Sequence, residues 1–429
     1  MKRLLIISPY FPPSNTADMQ RIRTSLPYFI DFGWDVEIVS IHENYTDINQ
    51  DPLLIESIPN SIKIHKIRAL NKKLTSKLGI GSIALRSIFS YKKKVNKLLR
   101  LERFDLIYFS TTQFPICILG AYWKQRFNIP YVIDMQDPWH SDYYNNKPKH
   151  QRPVKHWFSH RLNKWLEPIA MKKVDGLISV SKDYINDLKQ RYPQIKNIPS
   201  KTITFGIFKF DTEIANKFKI NFNTPLYSNH INIVCIGRGG ADMYNAIKPL
   251  FAALKQGLFN DYNLFKNIRV YFLGTSYAQS GKGKKIILPL AIQYNLQDYI
   301  IESTDRLNYY HALSILQQAD SLFIPGSDDP KYTASKIYPY LLTHKPILSI
   351  FHPNSPAIKE LNKFAANYTY SYTDTLLTNK IIDFLKKIIN KTINYQEYNI
   401  DIMDKYAASN LTKHQCLLFN SVINKNLNT

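Results

Sequence analysis

The stretch 312–350, ALSILQQADSLFIPGSDDPKYTASKIYPYLLTHKPILSI, decides the fold. A helical pattern ends at Asp320. Ser321-Leu322-Phe323-Ile324 follows as a short apolar run of strand type, stopped by Pro325-Gly326. A polar loop, residues 327–333, leads through Ala334-Ser335 into a second helical pattern over 336–342. Lys345-Pro346 ends it, and Ile347-Leu348-Ser349-Ile350 reads as another buried strand. Helix, strand, loop, helix, strand is the grammar of a parallel α/β sheet. In such sheets ligands sit beyond the carboxyl ends of the strands. The loop 326–335 lies at such an end. A helix beginning near Ala334 is expected to aim backbone N–H groups, and the positive end of its dipole, at a diphosphate. Lys336 adds a fixed cation there.

The same stretch resembles the donor-binding segment of retaining, two-domain nucleotide-sugar glycosyltransferases of family 4. The usual form is a strand ending in Pro-Ser, an acidic loop, then Ser-Lys-Leu-x-Glu-Tyr-Leu and Lys-Pro-Ile-Leu. This chain carries Pro325, Asp328-Asp329, Ser335-Lys336-Ile337-Tyr338-Pro339-Tyr340-Leu341 and Lys345-Pro346-Ile347-Leu348. The family often has two glutamates eight positions apart, the second holding the nucleotide ribose. Lys331 and Pro339 stand at those places here, so the carboxylate role either falls to Asp328 or Asp329 or is lost.

At 429 residues the chain is long enough for two domains with full cores. Cys117, Cys235 and Cys416 show neither pairable nor metal-ligand spacing, as befits a reducing cytoplasm. The basic, apolar start MKRLLIISPYFPP is too short in its apolar run for a signal peptide. No run of about 18 apolar residues is present, so no transmembrane helix is expected. A formal net charge of +23 suits nucleic acid, anionic lipid or phosphorylated ligands without choosing among them.

Leu4-Leu5-Ile6-Ile7 reads as a first strand, residues 17–32 as a helix, and Val36-Glu37-Ile38-Val39 as a second strand. The connecting loop holds Pro13, Ser14, Asn15 and Thr16. Tyr10-Phe11-Pro12-Pro13, Arg21 and Phe32-Gly33-Trp34 again look like one branch of family 4, in which this loop faces the acceptor side of an interdomain cleft. Ser14-Asn15-Thr16 replace its usual glycines. Residues 62–68 alternate as a strand should. Residues 71–104 are basic and amphipathic, either a solvated helix face over the core or a surface lying on anionic lipid. Ile129-Pro130-Tyr131-Val132-Ile133-Asp134-Met135-Gln136-Asp137-Pro138-Trp139 is similar to the family's Pro-x-Val-x-Asp-x-Arg-Asp-Pro-Trp, with Gln136 in place of Arg. Asp137 is the candidate acceptor-side carboxylate, or else a turn-capping Asp before Pro138. Residues 147–165 mix cations with aromatics, a combination used on nucleic acids and on membranes. A membrane or lipid-linked acceptor is favoured, with no nucleic-acid partner. His150, His156 and His160 lack a metal spacing and are read as solvent-facing.

The second half restarts at Ile231-Asn232-Ile233-Val234-Cys235-Ile236, then Gly237-Arg238-Gly239-Gly240. Glycines after a buried strand let backbone approach phosphates, and Arg238 can clamp them in a bidentate way. The family has a phosphate-binding Lys five positions after its Arg; this chain has Met243 there, and Lys336 could supply the charge. Thr275 ends the strand 268–274. Gly281-Lys282-Gly283-Lys284-Lys285 lacks P-loop spacing.

The resemblance implies two Rossmann-like domains facing across a cleft, the GT-B architecture. They are placed at residues 1–210 (acceptor side) and 211–400 (nucleotide-sugar donor side), with a tail helix at 401–429 packing back on the first. It implies retaining transfer of a hexose-type sugar from a nucleotide-diphosphate donor to a glycan or polyprenyl-diphosphate-linked acceptor. The setting would be bacterial surface-polysaccharide assembly, in the cytoplasm against the anionic inner face of the membrane. The assigned roles are Gly237, Arg238, Gly239, Gly240, Thr275, Ser335 and Lys336 for the donor, and Asp137, Asp328 and Asp329 as catalytic carboxylates. No cofactor and no metal are expected. A catalytically impaired binding or scaffold protein, and a basic nucleic-acid-binding module, are the rival readings.

Overall fold

The computed structural model describes the chain apart from residues 79, 141, 143–144, 146–147, 149–151, 153–155, 279, 333–335, 365–367, 394–399 and 428–429. It divides into two compact units, residues 1–206 with 408–429, and residues 207–407. Each is a parallel sheet with helices on both faces, and the expectation of two Rossmann-like α/β domains holds.

In the first unit the strands are β1 (Lys2–Ile7), β2 (Trp34–Ile41), β3 (Lys63–Ile67), β4 (Leu106–Ser110), β5 (Tyr131–Met135), β6 (Gly176–Ser179) and β7 (Ser200–Thr202). Their order is β3-β2-β1-β4-β5-β6-β7. The continuous apolar run of β1 follows from burial on both faces. Leu5 and Ile7 join one core with Phe109, Trp123 and Tyr131. Leu4 and Ile6 join another with Trp34, Tyr108 and Phe419. Phe419 lies on the C-terminal helix Ala408–Leu427, its ring 4.9 Å from Tyr108 and 5.5 Å from Trp34.

In the second unit β8 (Ile231–Ile236), β9 (Ile268–Leu273), β10 (Ile300–Ser303), β11 (Ser321–Pro325), β12 (Ile347–Phe351) and β13 (Thr369–Ser371) are ordered β10-β9-β8-β11-β12-β13. Leu322 pairs with Ile347 and Phe323 with Leu348, the two runs that opened the sequence reading. In both sheets the order reverses beside the first strand of the unit, between β1 and β4 and between β8 and β11. Such a reversal leaves a crevice at the carboxyl ends, where ligands of open α/β sheets bind.

One local expectation is corrected. Residues 17–32 form helix Gln20–Ser25 and then two 3-10 turns, Leu26–Tyr28 and Ile30–Phe32, because Pro27 has no N–H to continue the helix. In the opening stretch the expected helix is present as Ile337–Leu341, with Pro339 inside it, and its expected start near Ala334 lies outside the described residues. In the basic region after residue 71, helix Ile83–Leu101 buries Tyr91, Val95 and Leu98 and exposes Lys92, Lys93, Lys97 and Arg100. An exposed basic face opposite a packed one is common to both readings of this region.

Candidate functional site

In the second unit the candidate donor residues gather at the β8/β11 crevice. β8 ends at Ile236, and Gly237 turns the chain with φ of 119°, a backbone open to glycine and strained for other residues. A side chain built at Gly237 would meet Lys336 Nζ at 3.6 Å, so the Lys336 ammonium lies against this turn. Tyr340 explains why. Its hydroxyl accepts from Ile236 N–H at 2.7 Å and donates to Ile236 O at 3.2 Å, tying helix Ile337–Leu341 to the end of β8. Lys336, one residue before that helix, is thereby set over Gly237, 4.0 Å from the buried Cys235 Sγ. Arg238 is the next residue along the chain. The two cations and the glycine turn form a cradle of the kind that a diphosphate requires.

Arg238 is already engaged. Its NH1 and NH2 donate to the two carboxylate oxygens of Asp242 at 2.9 and 2.6 Å, and this pairing holds the guanidinium pKa above its usual value. The pair is only part-buried, so its net worth is roughly 0–1 kcal/mol. A diphosphate can therefore take Arg238 from Asp242 at little cost. Tyr332 lies near Arg238, its phenol pKa pushed up by burial. Asp242 also accepts, through its backbone oxygen, from Asp328 N–H at 2.8 Å, which joins the loop after β8 to the loop after β11. Within that loop Asp329 accepts from Lys331 N–H at 2.9 Å, and Ser327 from Asp329 N–H at 3.0 Å. Both Asp328 and Asp329 are half-buried at the crevice. Gly239 packs its backbone against Thr275. The Thr275 hydroxyl, in contrast, donates to buried Glu302 at 2.9 Å, and Glu302 also accepts from the N–H groups of Ile286, Ile287 and Leu288. Thr275 braces the glycine turn and keeps its hydroxyl away from any ligand there. Ser335 lies outside the described residues. Met243 is buried in the core.

The first unit repeats the plan. Asp18, after the β1 loop, is buried and accepts from Thr112 N–H at 3.2 Å and from the hydroxyls of Thr111 and Thr112 at 3.1 and 3.3 Å, just past β4. Burial pushes its carboxyl pKa up. The loop itself is pinned from below. Asn15 N–H donates to Asn49 O at 2.9 Å, and Asp51 N–H donates to Pro13 O at 2.7 Å. Ser14 is buried; Pro13, Asn15 and Thr16 are half-buried. Beneath lies a polar network. Arg21 Nε donates to Asp134 Oδ2 at 2.6 Å, while its other nitrogens donate to Thr204 O and Ile203 O. Gln136 Nε2 lies 2.8 Å from Asp134 Oδ2, 3.0 Å from Ser110 Oγ and 3.1 Å from Asp18 O. Gln136 thus serves as a neutral donor in the core, where the resembling family has an arginine.

Asp137 is the next residue, at the wall of a hollow of about 520 Å³ shared with Thr112, Phe114, Trp139, Phe158 and Asn163. Asp137 is exposed to solvent at that wall, while the protein atoms around the hollow crowd its carboxyl. This burial, and then the charge of Asp18, push its carboxyl up to about 6. A carboxyl that titrates near neutrality in a concave wall is suited to proton transfer with a hydroxyl substrate.

Of the aromatic and basic stretch, residues 147, 149–151 and 153–155 lie outside the described ones. The rest opens helix His156–Met171, which exposes Trp157, Phe158 and Trp165, with the Arg161 guanidinium 4.3 Å over the Trp157 ring. His150 and the His156 side chain are not described. His160 does not face solvent as expected: it is half-buried, with Nε2 3.1 Å from Asp142 Oδ1.

Sequence reading singled out Arg238 and Lys336 but missed their partners, Asp242 and Tyr340. Asp242 could have been found from its i,i+4 spacing to Arg238. Tyr340 reaches across 104 residues and leaves no local signal.

Residues 29–207 match the sequence profile of Glycosyltransferase Family 4. No curated protein matches the chain in sequence. The chain is similar in structure to Anabaena Alr3699/HepE in complex with UDP, at TM-score 0.53 and 16% identity over 100% of this chain and 98% of that one. It is similar to a UDP-forming α,α-trehalose-phosphate synthase from Burkholderia xenovorans in complex with glucose-6-phosphate, at TM-score 0.62 and 10% identity over 97% and 100%. A mutant of S. aureus TarM, in complex with fondaparinux, α-GlcNAc-glycerol and UDP, aligns at TM-score 0.57 and 11% identity over 98% and 100%. At such identities these likenesses speak for the fold alone.

Proposed function

We propose that this chain is a glycosyltransferase that moves a sugar from a nucleotide-diphosphate donor to a glycan or polyprenyl-diphosphate-linked acceptor. The observation that carries this reading is the placement of the Lys336 ammonium against the Gly237 turn, with Arg238 the next residue, at the switch point of the second sheet. The profile match in the first unit supports it, as do structural neighbours solved in complex with UDP.

Such transfer must stabilise a leaving diphosphate while the sugar takes oxocarbenium character. Arg238, released by Asp242, and Lys336 offset the charge that develops on the diphosphate. Asp328 and Asp329 orient sugar hydroxyls. Asp137, as carboxylate, accepts the proton of the attacking acceptor hydroxyl. The donor is of hexose type and the anomeric configuration is retained. The place of work is the anionic inner face of a bacterial cytoplasmic membrane, in surface-polysaccharide assembly. Trp157 and Trp165 would sit at the lipid interface there, with Arg161 and Lys164 towards headgroups.

A second reading, a donor-binding scaffold without turnover, is favoured by Lys331, Pro339 and Met243 at places where the resembling family has working groups. The two separate in one experiment. The purified chain is incubated with nucleotide sugars and polyprenyl-diphosphate glycans in anionic vesicles, and product mass, anomer and nucleoside diphosphate release are followed. Turnover of one donor, falling at least about 100-fold in Arg238→Ala, is expected. Donor binding without any turnover would replace the enzyme reading with the scaffold.

A further inference from the structure

The loop after Asp137 brings a second set of groups together, in the unit that lacks Arg238 and Lys336. Trp139 sets the geometry. Its ring stacks on Phe114 at 5.5 Å, and its Nε1–H donates to Asn163 Oδ1 at 3.2 Å, which fastens the loop to helix His156–Met171. His140 is the next residue along the loop, and His160 lies one turn before Asn163 on the helix. The two imidazoles therefore meet, with ring centroids 4.6 Å apart. Asp142 closes the group, its Oδ1 3.1 Å from His160 Nε2. One ligand atom from each of the three lies within 4.8 Å of the others. His140 Nε2 is buried and has no hydrogen-bond partner among the described residues. A buried imidazole nitrogen costs free energy when it pairs with nothing, and this one belongs to a ring that lies against His160.

We propose that His140, Asp142 and His160 bind one divalent transition-metal ion of the zinc class. Two imidazoles and one carboxylate are the donor set such ions take, whereas calcium and magnesium favour all-oxygen sites. Donors about 2.0–2.2 Å from a common ion lie roughly 3.3–3.6 Å apart in tetrahedral geometry. The three ligands must draw in by about 1 Å, which solvent-exposed Asp142 permits. Asn145 Nδ2 now sits 2.6 Å from Asp142 Oδ1 and 3.3 Å from His160 Nε2, and its amide gives way to the ion. The fourth position is left to water or a sugar hydroxyl. Bound metal would clamp the loop that carries Asp137 to the helix that supplies Phe158, Ser159, Leu162 and Asn163 to the same hollow. The proposal does not rest on the glycosyltransferase reading.

The test uses the full-length, untagged chain stripped with chelator and titrated with cobalt(II), then zinc(II), following the cobalt absorption bands and the heat of binding. One equivalent per chain is expected, with imidazole-type cobalt bands displaced by zinc and a rise in melting temperature. His140→Ala and His160→Ala should weaken binding by about tenfold or more, and His352→Ala, in the other unit, should not. Asp142→Asn guards against misfolding, since its side chain is largely exposed; it should weaken binding while leaving the metal-free melting temperature unchanged. No saturable uptake at stoichiometric metal, or uptake equal in wild type and Asp142→Asn, would overturn the site.

Discussion

Asp137 shows how one residue's surroundings set its chemistry. Its neighbours Asp134 and Gln136 are buried and bonded in the core, while Asp137 faces a hollow. With its carboxyl pushed up to about 6 by burial and by Asp18, it is charged above that pH and neutral below. A proton acceptor must be charged, so kcat/KM should fall by about tenfold per pH unit below about 6. The pH profile of Asp137→Asn should be low and flat over the same range. A wild-type profile unchanged between pH 7 and 5 would remove Asp137 from proton transfer. The sequence showed Asp137 as a carboxylate at a strand end but left a capping role equally open. What it did not show was Asp18, 119 residues earlier, because the contact between the β1 and β4 loops exists only once the sheet has formed. Arg238 is a parallel case. Its place after a buried strand was legible, but its pairing with Asp242 was not weighed.

Strands with both faces buried read clearly. Leu4-Leu5-Ile6-Ile7 and Ser321-Leu322-Phe323-Ile324 are continuous apolar runs, since each face meets a core. The edge strands β10 and β13 escaped notice, because they are four and three residues long and only partly buried, with Glu302 and Tyr370 among their residues. The helix over 17–32 was misjudged where proline intervenes, at Pro27. The C-terminal helix Ala408–Leu427 was read as helical, and its packing gives it weight. Phe419 is fully buried against Phe29, Trp34 and Tyr108. Phe419→Ala should cost about 3–5 kcal/mol, and the melting transition of the first unit should fall by roughly 6–20 °C. Scanning calorimetry would check this; a drop under about 2 °C would mean that the helix is not part of that core.

At the scale of the whole molecule, two units share one plan. Each is a parallel sheet whose order reverses beside its first strand, and in each an aspartate segment ties the loop after that strand to the loop after the strand across the reversal. Asp18 does so with its side chain and Asp242 with its backbone. The two-domain α/β fold was legible because strand and helix patterns alternate along the chain, and family-like strings occur in order. The net charge of +23 is compatible with an anionic partner, and named no ligand. The chemistry lies in a few side chains at strand ends, so the central claim is that the second unit binds a nucleotide-diphosphate sugar through Arg238 and Lys336. Thermal unfolding in the presence of nucleotide sugars tests it most directly, with the wild-type chain and the Arg238→Ala, Lys336→Ala double variant side by side. At a hundred times its dissociation constant the cognate donor should stabilise the wild type by about 2.7 kcal/mol, a rise of roughly 5–10 °C, and should leave the double variant unmoved. A wild-type chain that no nucleotide sugar stabilises, or a double variant stabilised to the same extent, would contradict the account.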